Sequence, residues 1–141
     1  FIRHFGSQHI DYRGIPDEGA TLDFNGVKLE AVPAHFLHSS GNIQLYDPEA
    51  RILMSGDVGM AIEPGQESAP LFVDDFDAHI RHMHKLHTRW MPSNRAKREW
   101  IARARDMDIE VMAPQHGRLF RGEDVLRFLD WFDALDVEAA G

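Results

Sequence analysis

Nitrogen and oxygen donors are the only metal-binding chemistry this chain offers. It has nine histidines and no cysteine. Thiolate zinc sites, iron–sulfur clusters and disulfides are therefore excluded. A transition metal must be held by His, Asp or Glu, a donor set that suits iron, manganese or zinc. The densest group of histidines is HMHKLH at residues 82–87. It spells His-x-His-x-x-His, one residue away from a two-metal chelating motif whose fifth position is Asp. Here the fifth position is Leu86.

The local pattern argues against a chelate. Phe76, Ile80, Met83 and His87 recur at helical spacing behind Asp74 or Asp75, either of which can cap a helix. Successive helical residues are about 100° apart, so His82 and His84 point to opposite sides and cannot share one ion. His79 with His82, and His84 with His87, sit three apart and offer at most weak surface chelates. The spacing places His82 toward water and His87 near the core side. His87, followed by Arg89 and Trp90 at the helix end, is the one member kept as a site candidate.

Three other positions each end a predicted strand beside glycine, proline or small residues. They are His38 in AHFLHSSGN, Asp57 in LMSGD and His116 in MAPQHG. Strand ends are rigid supports, and small neighbours let a metal or substrate approach the backbone. A carboxylate can bridge two metals while each imidazole ligates one of them. Singly, a Gly-Asp is most often a turn and a Pro-x-His-Gly a loop; together, with strands leading into all three, they form a constellation.

The elements that position these residues follow from periodicity. Residues 1–19 read as loop, broken by Gly6, Gly14, Pro16 and Gly19. Two alternating runs, Leu22-x-Phe24 and Val27-x-Leu29-x-Ala31, flank Asn25-Gly26, which predicts a hairpin. A second pair, through Ile43 and Leu45 and then Arg51 to Ser55, turns at Tyr46-Asp47-Pro48-Glu49-Ala50. Residues 62–70 read as a polar surface loop. After the histidine-rich helix, Pro92-Ser93-Asn94 starts another helix carrying Trp100, Ile101 and Ala104. Ile109 to Ala113 predicts a strand, and Glu123-Asp124 opens a last helix with Val125, Phe128, Leu129, Phe132 and Leu135. The order predicts a mixed α/β arrangement, one sheet with helices on one face.

At 141 residues the chain fits one domain with a real core. Its net charge of -8 argues against nucleic acid, which needs a basic face. The basic residues concentrate between Arg81 and Arg127 with acids interleaved, as on a solvated helix surface. No run is long enough to span a membrane, and the cytoplasm is the expected compartment. The first residue is Phe1 and not Met, so a targeting segment is not read from this end.

AHFLHSSGN, LYDPEARILMSGD and APQHG occur in the order of three motifs of the metallo-β-lactamase superfamily, which the chain resembles over essentially its whole length. HFLHSSGN, HTRWMPSN and APQHG are more similar to its di-iron branch, the flavodiiron and oxygen-binding di-iron proteins, than to the hydrolases. The resemblance implies that His38 ligates one metal, Asp57 bridges both and His116 ligates the other; His35 and His87 are separate candidates for supporting neighbours. It also implies an αββα sandwich of which this chain supplies the second half. The family's other ligand cluster belongs upstream of His38, and nothing there matches it. Ser7-Gln8-His9-Ile10-Asp11-Tyr12 holds a His-x-Asp without chelating company. The N-terminal half of the domain is thus expected outside this chain, leaving each metal two ligands here.

Half a sandwich exposes one sheet face, so a companion N-terminal fragment or self-association is expected to cover it. Two iron ions binding O₂ or NO, for sensing or reduction, are the first reading of the chemistry. No Gly-rich phosphate loop is present, so no flavin site is expected in this chain. A di-zinc or manganese-containing pair activating a bridging water against an ester-type substrate is the second. A metal-free, partner-binding module is the third.

Overall fold

A computed structural model of the chain describes residues 13–65 and 69–139. Ser7 to Tyr12 lie outside the described residues. The described residues form one six-stranded sheet in the order β1(Ala20–Phe24), β2(Val27–Pro33), β3(Ile43–Asp47), β4(Ile52–Gly56), β5(Val111–Pro114), β6(Phe120–Arg121). Neighbours are antiparallel except β4 and β5, which are parallel. Between those two the chain runs through α1(Phe76–Trp90) and α2(Asn94–Arg105), and α3(Glu123–Ala134) follows β6.

The first hairpin forms where the sequence demands it. Asn25 and Gly26 both take positive φ, 57° and 96°, as a tight two-residue turn requires, and the Gly26 N–H donates to Asp23 Oδ1 at 2.8 Å. At the next turn Asp47 Oδ1 accepts from the N–H groups of Glu49 and Ala50. This side-chain mimic of a backbone turn delivers β4 beside β3.

Alternation then decides which sheet face is covered. Gln44, Tyr46, Leu53, Ser55 and Met112 are buried, while Ile43, Leu45, Ile52, Val111 and Ala113 between them are half-buried and Met54 is exposed. The buried set packs with Phe76 and Met83 of α1, Trp100 and Ile101 of α2, and Phe128, Leu129 and Phe132 of α3. All three helices therefore cover one face, and the opposite face is apolar and open. Three side chains within the core are paired: Trp100 Nε1–H donates to Gln44 Oε1, Gln44 Nε2–H to the Ser55 carbonyl, and the Tyr46 hydroxyl to the Asp108 carbonyl.

Asp75 caps α1 by accepting from the Ala78 N–H, and Ser93 caps α2 through the Ala96 N–H. Three residues fall elsewhere than the pattern indicates. His79 is 3% exposed, on the buried stripe, and Ile80 is only half-buried. Lys97 is buried and caps the end of α3, its ammonium donating to the carbonyls of Asp133 and Leu135. Burial pushes its pKa down. Among the described residues no helix is long and apolar enough to cross a membrane.

Candidate metal centre

Asp57 and His116 are set side by side by the one parallel pair in the sheet. Gly56 is in register with Pro114, and the Gln115 N–H donates to the Gly56 carbonyl at 2.7 Å. The residues just before Asp57 and His116 are thus hydrogen-bonded to each other. Gly56, at φ 59°, turns the chain out of β4. The turn is then closed by the Ser55 hydroxyl donating to the Val58 carbonyl, and the Val58 N–H to the Ser55 carbonyl. On the other strand, the Ala61 N–H donates to the His116 carbonyl. Gly117, at φ 98°, lets the backbones touch, since a Cβ there would lie 2.9 Å from the Ala61 Cβ.

His38 arrives on the loop after β2. Hydrogen bonds from the Ala34 N–H to the Asn42 carbonyl, the Leu37 N–H to the Ala34 carbonyl and the Asn42 side-chain amide to the Leu37 carbonyl wind this loop around fully buried Leu37. Phe36 and His38 both adopt left-handed backbone, φ 61° and 77°. That conformation costs a residue with a Cβ roughly 1–2 kcal/mol. The result brings His38 Nδ1 to 3.4 Å from Asp57 Oδ2, while His116 Nε2 lies 4.0 Å from Asp57 Oδ1. Each carboxylate oxygen faces a different imidazole. Both distances exceed a good hydrogen bond, so the donor atoms are not committed to one another.

The last turn of α1 supports this group from two sides. His87 is fully buried; its Nε2 accepts from the Gly59 N–H at 3.0 Å, and its Nδ1 donates to the Met83 carbonyl at 2.9 Å. Accepting at Nε2 fixes the ring as the neutral Nδ1–H tautomer. Burial pushes its pKa down to about 4, against the pull of the Met83 carbonyl. His87 thereby anchors the segment just beyond Asp57. Three residues on, the Trp90 indole stacks on His38, with centroids 4.8 Å apart and planes 17° apart.

A buried ionic group holds the rear of the His116 loop. Arg118 pairs with Glu63 at 2.8 Å and with Asp74 at 2.5 Å. His79 Nδ1 lies 3.1 Å from Glu63 Oε1, an ion-pair distance without hydrogen-bond alignment. Burial, outweighing Glu63, lowers the His79 pKa. Glu63 is therefore an interior residue, although its segment reads as a polar surface loop. Its place is decided by Arg118, which sequence spacing does not link to it.

Of the sequence candidates, the structure brings His38, Asp57 and His116 together and puts His87 beneath the Asp57 segment. His35 turns elsewhere: its Nε2 is 3.2 Å from Asp17, and it lines a small hollow with Trp100 and Arg103 of α2. HMHKLH lies wholly within α1, with His84 exposed and His87 buried. His79 and His82 have ring centroids 6.1 Å apart and do not form a surface chelate, because His79 faces inward to Glu63. Trp90 and the Arg118 group were not identified from the sequence as site features. The signal for Trp90 was its spacing of three from His87 at the helix end.

Among the described residues no set of three or more His, Asp or Glu side chains is placed to hold a single metal ion. The trio around Asp57 fits a different arrangement: two positions, each seeing one imidazole and one carboxylate oxygen. Such a donor set suits iron, manganese or zinc and would need further ligands to complete either position.

The family model "ODP family beta lactamase" matches residues 1–117. Among solved structures, the apo state of the chemotaxis sensor ODP from T. denticola is 36% identical, with a TM-score of 0.80, over 86% of this chain and 50% of that one. A structure of the chemotaxis sensor ODP as a peroxy diiron species is also 36% identical, with a TM-score of 0.78, over 86% of this chain and 51% of that one. A flavo di-iron protein mutant from Thermotoga maritima, at 19% identity, has a TM-score of 0.75 over 93% of this chain and 32% of that one, and so shares the fold. The chain spans about half the length of the sensor chains it matches. No curated protein matches it.

Proposed function

The chain belongs to the ODP family of the metallo-β-lactamase fold, and from that premise we propose that it supplies part of the ligand set of a di-iron centre that binds O₂ or NO. Asp57 would bridge the two metals, His38 would ligate one and His116 the other. The observation that carries this reading is the Asp57 carboxylate, with one oxygen toward each imidazole at 3.4 and 4.0 Å. The relatives, a chemotaxis sensor and its peroxy diiron species, support iron over zinc and gas binding over hydrolysis. When bound, the iron pair supplies a redox-active site for a diatomic ligand. The residues of this chain hold that site in shape: the β4–β5 register fixes Asp57 against His116, and His87 secures the turn beyond Asp57. Sensing is favoured over reduction because the relatives at 36% identity are chemotaxis sensors.

Two ligands per metal from this chain imply that others come from elsewhere in the domain. The open apolar face, with Leu45 opposite Met54 and Ile52 opposite Val111, is the surface we assign to a companion sheet. Self-association through the same face is the competing outcome. A size measurement reporting a well-folded, monodisperse 16 kDa monomer argues against both.

The test is anaerobic loading of the protein that carries this chain with Fe(II), followed by exposure to O₂ or NO. A new visible absorption that disappears on removal of the gas supports the reading. A colourless zinc-loaded protein that cleaves esters or phosphodiesters overturns it in favour of a metal-activated water.

A further inference from the structure

We propose that Trp90 is a positioning residue for His38, its indole holding the imidazole in the one orientation that faces Asp57. The inference rests on the assignment of His38 as a ligand. A ligating histidine normally has its ring orientation fixed by a hydrogen bond from its second nitrogen to a carboxylate or carbonyl. Among the described residues His38 has no such partner. Its ring contacts are Asp57 on one side, at 3.4 Å, and the indole on its face, at 4.8 Å and 17°. The side chain is 34% exposed, so without the indole its rotamers would be open to exchange.

The indole is well placed to take that role. Trp90 is the last residue of α1, and the cap residue after it, Met91, is buried with its N–H on the His87 carbonyl. The helix therefore fixes the backbone from which the ring projects. Trp90 is itself 47% exposed, so a large apolar side chain is held at the surface beside the site and not in the core. The same turn carries His87, which ties down the segment past Asp57. One helical turn thus sets both partners of the His38–Asp57 pair.

The test compares the protein that carries this chain, as wild type and with Trp90→Phe, Trp90→Leu or Trp90→Ala, by two readouts. In metal-free protein, NMR of the His38 ring is expected to give upfield-shifted protons and one χ1 rotamer in the wild type and Trp90→Phe. Averaged rotamers are expected in Trp90→Leu and Trp90→Ala. In Co(II) titrations, Trp90→Leu and Trp90→Ala are expected to bind about tenfold more weakly, with Trp90→Phe within about twofold of wild type. Trp90→Leu keeps apolar bulk without a π face, so it separates stacking from packing if Trp90→Ala unfolds. A single His38 rotamer in Trp90→Leu, or wild-type Co(II) affinity there, overturns the proposal. Wild-type protein that binds no Co(II) removes the metal assignment instead, and the metal-free readout still decides whether Trp90 orients His38.

Discussion

Replacing His87 with Leu tests how firmly the last turn of α1 supports the Asp57 segment. The change leaves the buried Gly59 N–H without an acceptor, a loss of about 1–3 kcal/mol. It also removes edge contacts from the imidazole to Phe128, Trp131 and Phe132 at 5.2–6.0 Å, which leucine replaces only in part. The expected destabilisation near pH 7.5 is about 3 kcal/mol. The pH dependence provides the sharper test. The histidine titrates near 6.5 when unfolded and about 4 when folded. Between those values the unfolded chain binds the extra proton, so this contribution to stability is lost as pH falls from 6.5 toward 4. A shift of this size corresponds to about 3 kcal/mol at 1.36 kcal/mol per unit. The leucine variant has no such group. Urea denaturation of both proteins from pH 7.5 to 4.5 should therefore show a stability gap that is wide at neutral pH and nearly closed at the acid end. A gap that stays constant across the range refutes the buried, neutral role of His87.

Other perturbations probe the remaining supports. Gly117→Ala forces a Cβ into Ala61 from a backbone at φ 98° and should lower stability by about 3 kcal/mol in a thermal melt. Lys97→Met frees the carbonyls of Asp133 and Leu135 at the end of α3 and should cost about 2 kcal/mol in chemical denaturation. Arg118→Met leaves Glu63, 8% exposed, buried without its guanidinium, and should destabilise by about 3 kcal/mol in the same assay. Restoration by Arg118→Met combined with Glu63→Leu would confirm the unpaired charge as the cause.

Much of the sheet was legible because its signals are local. Asn25-Gly26 between alternating runs specifies a hairpin without reference to anything distant, and so does the Asp47 turn. The end-of-strand positions of Asp57 and His116 were readable for the same reason, whereas His38 lies on a loop beyond β2, which ends at Pro33. The convergence of the three was not readable. It depends on the parallel β4–β5 register and on left-handed backbone at His38, neither of which has a composition signature in AHFLHSSGN or APQHG. HMHKLH was resolved by period alone, since a helix separates His82 from His84. The same period misjudged His79, because its partner Glu63 lies 16 positions away in a segment of polar composition. Lys97 was unreadable in the same sense: a lysine among arginines on a surface helix looks solvated until the end of α3 is docked against it. Two-residue β6 is too short to leave any pattern.

The central claim is that Asp57 joins two metal positions, one at His38 and one at His116. Metal analysis of the protein carrying this chain, produced with iron supplied, compares wild type with Asp57→Asn and with each histidine changed to Ala. The account predicts two iron ions per wild-type domain, loss of both in Asp57→Asn, and weakened iron binding in His38→Ala and His116→Ala, with far-ultraviolet dichroism unchanged. Full iron content in Asp57→Asn with the fold intact contradicts it.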